Sequence, residues 1–328
     1  MRNFLFSLFF SISFFATATN TDIKETDSIG YSIASDDAVL SMIDSLMSNR
    51  MYNCFKYCTT TGDSIFNDNP QVLIDSILDT RLEFLDNETP FELIYNQYTK
   101  AFINLYVNKR RKLSRSVLGL ATLYFPMIEE VLDRYNMPLE LKYLAVVESA
   151  LSPSARSRVG AQGLWQFMYR TGKIYDLNST SYVDDRCDPY KSTVAACEYF
   201  RFLYDMFGDW QLVLAAYNGG PGNLLKAIRR AGGKRDYWEV RPYLRRETQG
   251  YVPAFFAVNY IMQHAAENNI YPTQPKFFNY ELDTVIIHKY TDLNTLATVL
   301  EIPISEVRFL NPTFKKSIIP NSKNGYAL

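Results

Sequence analysis

PLELKYLAVVESALSPSARSRVGAQGLWQFMYRTG, at residues 138–172, contains the most informative pattern in the chain. Apolar spacing predicts an α-helix from Pro138, and one face of that helix carries Leu141, Leu144, Ala145 and Glu148. A carboxylate therefore ends an apolar stripe, and Ser152-Pro153 then predicts an irregular loop beside it. Because burying an ionised carboxylate is costly, we expect a raised pKa for Glu148, as a general acid requires. A glutamate that turns to solvent at a helix end is the alternative.

The composition favours a globular protein. The chain has 328 residues, 47% of them hydrophobic and 15% aromatic, which allows one large or two modest domains and excludes disorder throughout. The net charge of −1 gives no electrostatic basis for binding nucleic acid. We therefore expect a packed core and no nucleic-acid partner.

Helical periodicity runs through most of the chain. Beside the helix from Pro138, apolar spacing predicts helices over 37–50, 70–85, 90–118, 126–136, 190–207, 210–217, 224–230 and 247–267. Residues 238–243 are expected to be irregular, and no stretch before residue 280 alternates as a strand does. After a Pro-containing linker, the predicted order is β-α-α-β, over 283–288, 293–300, 305–310 and 325–328. The fold class is thus mainly α, with a small βααβ module.

Residues 1–18 have the features of a secretory signal peptide. Arg2 is followed by an apolar run over 4–15 and by the small residues of Ala16-Thr17-Ala18. The first cysteine is Cys54, so a lipoprotein-type cysteine does not follow this run. We expect export to the periplasm, with an uncleaved anchor as the alternative.

The cysteines and histidines do not form a metal-binding pattern. Three full pairings are open to Cys54, Cys58, Cys187 and Cys197, which we interpret as structural or free. The two histidines are His264 and His288, far from these cysteines in sequence. We therefore expect no metal and no cofactor.

Four segments carry the chemistry, in chain order: Glu148-Ser149; Ser157 with 160–168 (GAQGLWQFM); 216–222 (AYNGGPG); and 247–252 (ETQGYV). Together they resemble the catalytic motifs of the lytic transglycosylases related to goose-type lysozyme, which share the SLT domain. The segment 184–189 (DDRCDP) and the wording of the second motif resemble the membrane-bound type D branch. Tyr169 departs from that branch, which usually has proline there.

The resemblance implies a lysozyme-like all-helical fold and a role for each motif residue. Glu148 would be the single catalytic acid and then base. Substrate-binding roles are implied for Ser157, Gln166, Met168, Tyr217, Asn218, Glu247 and Tyr251. Ser157 and Gln166 would hydrogen-bond the substrate or Glu148.

The remaining roles concern the other walls of the cleft. Met168 would pack on a sugar face, and Tyr217 would orient Glu148 or the N-acetyl group, with Asn218 holding its loop. Tyr251 would close the fourth side. Core packing is the alternative for Met168 and Tyr251, and Glu247 has no settled role.

The C-terminal segment resembles a LysM module, which binds N-acetylglucosamine polymers. It departs from that pattern at 290–293 (YTDL), where Gly-Asp-Thr-Leu is expected, so sugar binding stays open. The expected domains are a signal peptide (1–18), an N-terminal helical region (19–105), a transglycosylase domain (106–269), a linker (270–279) and a LysM-like module (280–328).

The leading hypothesis is an exported peptidoglycan lytic transglycosylase. It would cleave the MurNAc–GlcNAc β-1,4 bond and leave 1,6-anhydro-MurNAc ends. The alternatives are a true muramidase, which adds water, and a non-catalytic murein-binding protein. The expected partner is the glycan strand of peptidoglycan, and peripheral association with the cell wall or membrane stays open.

Overall fold

The computed structural model describes residues 31–33, 37, 40–41, 58–59 and 71–328. Its α-helices are α1 (Asp75–Asp86), α2 (Gln97–Asn104), α3 (Arg111–Arg134), α4 (Lys142–Ser149), α5 (Tyr169–Ile174), α6 (Pro189–Phe207), α7 (Trp210–Gly219), α8 (Pro221–Arg230), α9 (Tyr237–Val240), α10 (Arg246–Gln249), α11 (Tyr251–Gln263), α12 (Leu293–Val299) and α13 (Ile304–Leu310). The strands are β1 (Cys58–Thr59), β2 (Gln274–Pro275), β3 (Ile286–Ile287), β4 (Thr291–Asp292), β5 (Ile318–Ile319) and β6 (Tyr326–Ala327). The mainly helical fold is confirmed.

Helix α11 lies at the centre of the helical part. Eleven of its 13 residues are buried, and it packs against α2, α4 and α7. Phe255 is fully buried on this helix, and its ring lies 4.9 Å from that of Phe91. A helix that is apolar on all sides must be surrounded by other elements. Tyr251, at its first position, is therefore fixed by the core.

Local sequence signals set the ends of α6 and α7. The Asp188 carboxylate accepts a hydrogen bond from the Lys191 amide, and Pro189 occupies the first helical position. Gly208 ends α6 with a φ of +68°, as predicted, because glycine adopts this left-handed conformation without a Cβ penalty. Asp209 then caps α7 through the Leu212 amide at 2.7 Å.

Several predicted boundaries were wrong. Pro126 does not begin a helix but lies inside the 24-residue α3, where packing outweighs the roughly 3 kcal/mol cost of an internal proline. The predicted helix over 90–118 is interrupted by a π-helical turn at Leu105–Lys109. Residues 238–243 are not irregular, since they belong to α9 and a 3₁₀ turn, Arg241–Tyr243.

The expectation of no strand before residue 280 was also wrong. Strands β1 and β2 pair antiparallel, with Cys58 opposite Pro275. Two-residue strands are too short to show alternation in sequence. The predicted signal peptide lies outside the described residues, as does nearly all of the helix predicted over 37–50.

The C-terminal module contains the predicted β-α-α-β elements, with one further short strand, β4 or β5, on each side of the helix pair. Strand β3 pairs with β6, β4 pairs with β5, and α12 packs against α13. Its core consists of Leu293, Ala297, Val307, Phe314 and Ile319, together with Val183 from the helical part. The segment predicted to be a linker buries Ile270 and contains β2. The domain boundaries themselves stay predictions.

Among the described residues, we found no helix with the length and apolar character needed to span a membrane.

We predict that Phe255→Ala lowers the free energy of unfolding by about 3–5 kcal/mol, because it empties the space beside Phe91. Urea denaturation followed by circular dichroism measures this change. Phe84→Ala is the matched control, since Phe84 is 62% exposed on α1 and its loss should cost less than about 1 kcal/mol. Equal effects of the two substitutions would contradict the central position of α11.

Candidate active site

Glu148 lies in the last turn of α4, as predicted. A 3₁₀ turn, Leu139–Leu141, precedes α4, so Pro138 stands just before the helix and not at its first position. Ala150 and Leu151 follow with φ of +49° and +60°, which turns the chain sharply after Ser149. The predicted apolar face is fully buried and comprises Leu141, Leu144 and Ala145.

Burial raises the pKa of Glu148 to about 7, and a hydrogen bond from the Tyr251 hydroxyl to Oε1 acts in the opposite direction. Some of the side chain is still accessible to solvent, although protein atoms closely surround the carboxyl group. A carboxyl group with this pKa is partly protonated near neutral pH. It can therefore donate a proton and later accept one. Within the described part of the chain, no second carboxylate contributes to this shift.

Ser149 attaches α4 to the loop that carries the second motif. We call residues 155–168 the motif loop. The fully buried Ser149 hydroxyl lies 2.9 Å from the Leu164 carbonyl oxygen and 2.9 Å from that of Ala145. This contact holds the motif loop next to Glu148.

Hydrogen bonds inside the motif loop occupy two of the predicted substrate-binding residues. Ser157 Oγ accepts from the Ala161 amide at 3.0 Å. Gln166 Nε2 donates to the carbonyl oxygens of Ala155 and Gly163, at 3.1 and 2.9 Å. These bonds shape the loop, whereas the resemblance implied bonds to the substrate or to Glu148.

The hydrogen bond to Glu148 comes from Tyr251 and not from Tyr217. The Tyr217 hydroxyl, expected to orient Glu148 or the substrate, donates to the Trp165 carbonyl at 2.7 Å. Tyr251, expected only to close the fourth side, hydrogen-bonds Glu148. Burial and the nearby Glu148 raise the pKa of both hydroxyls well above the ordinary value, so both stay protonated donors.

The other three predicted substrate-binding residues, Asn218, Met168 and Glu247, lie in three different surroundings. Asn218 Oδ1 accepts from Thr248 Oγ1 at 2.8 Å, which joins the third motif to the fourth. Met168 is 45% exposed just before α5. Glu247 lies on the surface, with its carboxylate 3.7 Å from the guanidinium group of Arg245.

Sequence reasoning missed a buried ion pair behind the motif loop. Asp184 accepts two hydrogen bonds of 2.9 Å from Arg186. Arg186 also donates to the carbonyl oxygens of Gly160 and Phe167, at 3.1 and 3.2 Å. The segment 184–189 carried the resemblance, but we assigned it no role. An arginine flanked by acidic residues at 184–188 is the signal that could have revealed the pair.

Gly163 is required by the close approach of this segment. A Cβ at Gly163 would lie 1.7 Å from the Arg186 carbonyl oxygen, and its φ of +90° also favours glycine. The backbone of the motif loop thus packs directly against residues 186–187.

The cysteines and candidate metal ligands of the described region form no recognisable metal site. Cys187 and Cys197 are buried free thiols, and burial raises the pKa of each to about 12. Cys54 lies outside the described residues, as does the side chain of Cys58. Across 71–328 and the shorter described segments, no three His, Cys, Asp or Glu side chains cluster as metal ligands.

Comparison with protein families identifies the two parts of the chain. A transglycosylase SLT domain matches residues 126–239, which include Glu148, the motif loop and Tyr217. A LysM-like domain of lytic transglycosylase MltD matches residues 281–328. The chain therefore contains an SLT transglycosylase domain followed by a LysM-like domain of the MltD type.

Individual relatives agree with these matches. Membrane-bound lytic murein transglycosylase D of Escherichia coli K12 is 34% identical over 210 residues, which cover 62% of this chain and 46% of the relative. The soluble lytic murein transglycosylase of the same strain is 32% identical over 142 residues, or 39% and 22% of the two chains. The chain thus spans about half the length of the first of these relatives.

A solved structure also resembles part of the chain. The crystal structure of the 70 kDa soluble lytic transglycosylase from Escherichia coli aligns with a TM-score of 0.39 and 21% identity. The alignment covers 55% of this chain and 31% of that one.

We predict that Tyr251→Phe raises the pKa of Glu148 further. The hydroxyl hydrogen bond stabilises the carboxylate, so its removal favours the protonated form. Carbon-13 NMR titration of the glutamate carboxyl groups, with Glu148→Gln to assign the signal, measures this shift. Tyr217→Phe is the matched control, because its hydroxyl bonds a backbone carbonyl and its loss should leave that pKa near 7. A pKa that falls in Tyr251→Phe would contradict the assigned contact.

Proposed function

We propose that this protein is a peptidoglycan lytic transglycosylase in which Glu148 acts first as acid and then as base. The observation that carries the proposal is the Glu148 carboxyl, with a pKa raised to about 7 inside the SLT domain. One group that must both donate and accept a proton needs a pKa near the working pH. The two relatives described above are lytic murein transglycosylases, which supports the same reaction.

In the first step, the Glu148 carboxylic acid gives its proton to the glycosidic oxygen between MurNAc and GlcNAc. The MurNAc C1–O bond breaks, GlcNAc leaves with a free 4-hydroxyl, and positive charge develops at C1 of MurNAc. The substrate's N-acetyl group stabilises this charge. Since Tyr251 hydrogen-bonds Oε1, it orients the carboxyl group during this transfer.

In the second step, the Glu148 carboxylate takes the proton of the MurNAc 6-hydroxyl, and that oxygen bonds to C1. The acid is regenerated and no water is consumed. Attack by a hydroxyl of the same ring is favoured because its effective concentration far exceeds that of a diffusing nucleophile. The product ends in 1,6-anhydro-MurNAc.

A muramidase that adds water is the second candidate. Most glycosidases that add water use a second carboxylate, as base or as nucleophile. Among the described residues, none shifts the pKa of Glu148, and Glu247 is on the surface beside Arg245. These observations favour cyclisation over hydrolysis. A non-catalytic murein-binding role is disfavoured by the intact acid and its tyrosine partner.

Export to the periplasm is part of the proposal and rests on the sequence of residues 1–18. Transglycosylase and LysM-like domains over 106–269 and 280–328, joined at 270–279, are likewise proposed. Peptidoglycan glycan strands are the proposed substrate of the first domain.

Glu148→Gln is expected to lower turnover of purified murein by about 10²–10⁴-fold, because amide nitrogen cannot donate or accept the proton as a carboxyl does. Release of soluble muropeptides measures this. A variant that retains more than a few per cent of the parent rate would show that another group is the acid.

The pH dependence of stability is the folding control for that variant. The folded pKa of about 7 exceeds the unfolded value of 4.5, so the contribution of Glu148 to stability is full below pH 4.5 and is lost as pH rises through 7. Glu148→Gln does not ionise, so its melting temperature should exceed the parent's above pH 7. The gain in the free energy of unfolding should be at most about 3–4 kcal/mol well above pH 7, and close to zero near pH 4.

We predict that the muropeptides released from sacculi are lighter by one water than hydrolysis products and resist borohydride. An anhydro end has no free reducing carbon, so reduction followed by mass spectrometry should add no hydrogen to these ends. A lysozyme digest of the same sacculi gives the reducible reference. Mostly reducible MurNAc ends would identify a muramidase.

A further inference from the structure

The LysM-like module and the SLT domain share one small hydrophobic core. Its buried residues all come from the module except Val183, which is 2% exposed and pairs with Phe314 across an antiparallel bridge. Val183 belongs to a segment of the helical part, residues 179–187, which we call the docking loop. Removing either partner would expose apolar surface on the other.

Backbone hydrogen bonds extend this contact on both sides of Val183. The Asp184 amide donates to the Thr313 carbonyl at 2.9 Å, and the Lys315 amide donates to the Tyr182 carbonyl at 2.7 Å. The Thr313 hydroxyl returns a bond of 3.1 Å to the Asp184 carbonyl. The module thus pairs with the docking loop through an isolated antiparallel bridge and these flanking hydrogen bonds.

Lys315 holds the same loop through its side chain. Its Nζ lies 2.8 Å from both Ser179 Oγ and the Thr180 carbonyl oxygen, and 3.4 Å from Asp184 Oδ2. Burial opposes the ionisation of Asp184, yet the bonds from Arg186 and the charge of Lys315 keep its pKa below the ordinary value. Asp184 therefore joins a cation of the module, Lys315, to a cation that bonds the motif loop, Arg186.

Arg186 carries the connection to the motif loop. Its guanidinium group holds the carbonyl oxygens of Gly160 and Phe167, and its Nη2 lies 3.3 Å from Gln162 Oε1. Two other carbonyl oxygens of the motif loop accept hydrogen bonds from hydroxyl groups. The Leu164 carbonyl accepts from Ser149, and the Trp165 carbonyl accepts from Tyr217. A continuous set of contacts thus runs from Lys315 to the residue that follows Glu148.

We propose that the LysM-like module is a positioning element of the active site, acting through Asp184 and Arg186 on the motif loop. The expected change in turnover rests on the proposed function, whereas the expected change in the motif loop does not. The module adds no group to the chemistry. Its attachment keeps the docking loop in place, and Arg186 in turn keeps the carbonyl oxygens of the motif loop where Ser149 and Tyr217 bind them.

Lys315→Met in the full chain tests the proposal, with Lys323→Met as the matched control. Lys323 is an exposed module residue whose side chain makes no hydrogen bond or ion pair with the described residues. Its substitution removes the same charge. Hydrogen–deuterium exchange should rise in the docking loop and in residues 160–168 of Lys315→Met only. On soluble glycan strands, kcat should fall by about 3- to 30-fold, the range typical of coupled networks, while KM changes less than about twofold.

Arg186→Lys tests the middle of the path. It keeps the charge but loses the fork that contacts Asp184 and two carbonyl oxygens together, so it should repeat the exchange pattern. The double variant with Lys315→Met should then be clearly less than additive in kcat. Thr313→Val, which deletes one hydroxyl, replaces Lys315→Met if that variant does not fold.

The proposal is overturned if exchange rises in the module and docking loop of Lys315→Met while residues 160–168 and kcat keep the parent values. Additive effects in the double variant would also overturn it. An inactive parent would contradict the proposed function alone, since the exchange measurement does not depend on activity.

Discussion

The desolvation of one carboxyl group is the constraint on which the arrangement of the helical part depends. Glu148 must be surrounded closely enough for its pKa to rise to about 7, yet remain reachable by a substrate. The end of a helix meets both requirements, because α4 buries its apolar face and then stops at the left-handed Ala150. The central helix α11 supplies a hydrogen-bond donor to this carboxyl from its first residue, Tyr251.

The irregular part of the site is held by side chains that donate to backbone carbonyl oxygens. Ser149, Tyr217 and Arg186 reach the motif loop from three different elements, and each bonds main-chain oxygen. A loop that lacks a helix or sheet ladder must satisfy its polar groups in another way. Here those donors also fix the position of the motif loop relative to α4. The same hydrogen bonds therefore satisfy the backbone carbonyl groups and set the geometry of the site.

Sequence reasoning predicted the features that depend on local spacing. The buried face of α4, the position of Glu148 in its last turn and the stop at Gly208 follow from periodicity and from single-residue conformational preferences. Pro126 was misinterpreted because packing along α3 overrides its local preference. Local sequence preferences therefore predict helix boundaries except where packing in the core overrides them.

Contacts between distant segments were not predictable in the same way. Which tyrosine hydroxyl meets Glu148 depends on how α7 and α11 pack, and spacing within either helix does not encode this. The linker prediction rested on two prolines and could not show that Val183 enters the core of the module, 110 positions before Leu293, the first buried module residue. The contacts of Tyr217 and Tyr251 and the Asp184–Arg186 pair belong to this class.

The hydrogen bonds that hold the motif loop end on main-chain oxygen atoms, which affects how the sequence of the loop can change. Every amino acid presents the same carbonyl group, so replacing a side chain of the motif loop leaves the acceptors for Ser149, Tyr217 and Arg186 in place. Met168, next to Phe167, is exposed and takes part in none of these three bonds. Gly163 is the exception, since no side chain fits against residue 186. Exposed positions of the motif loop can therefore change in sequence while the hydrogen bonds around Glu148 stay the same.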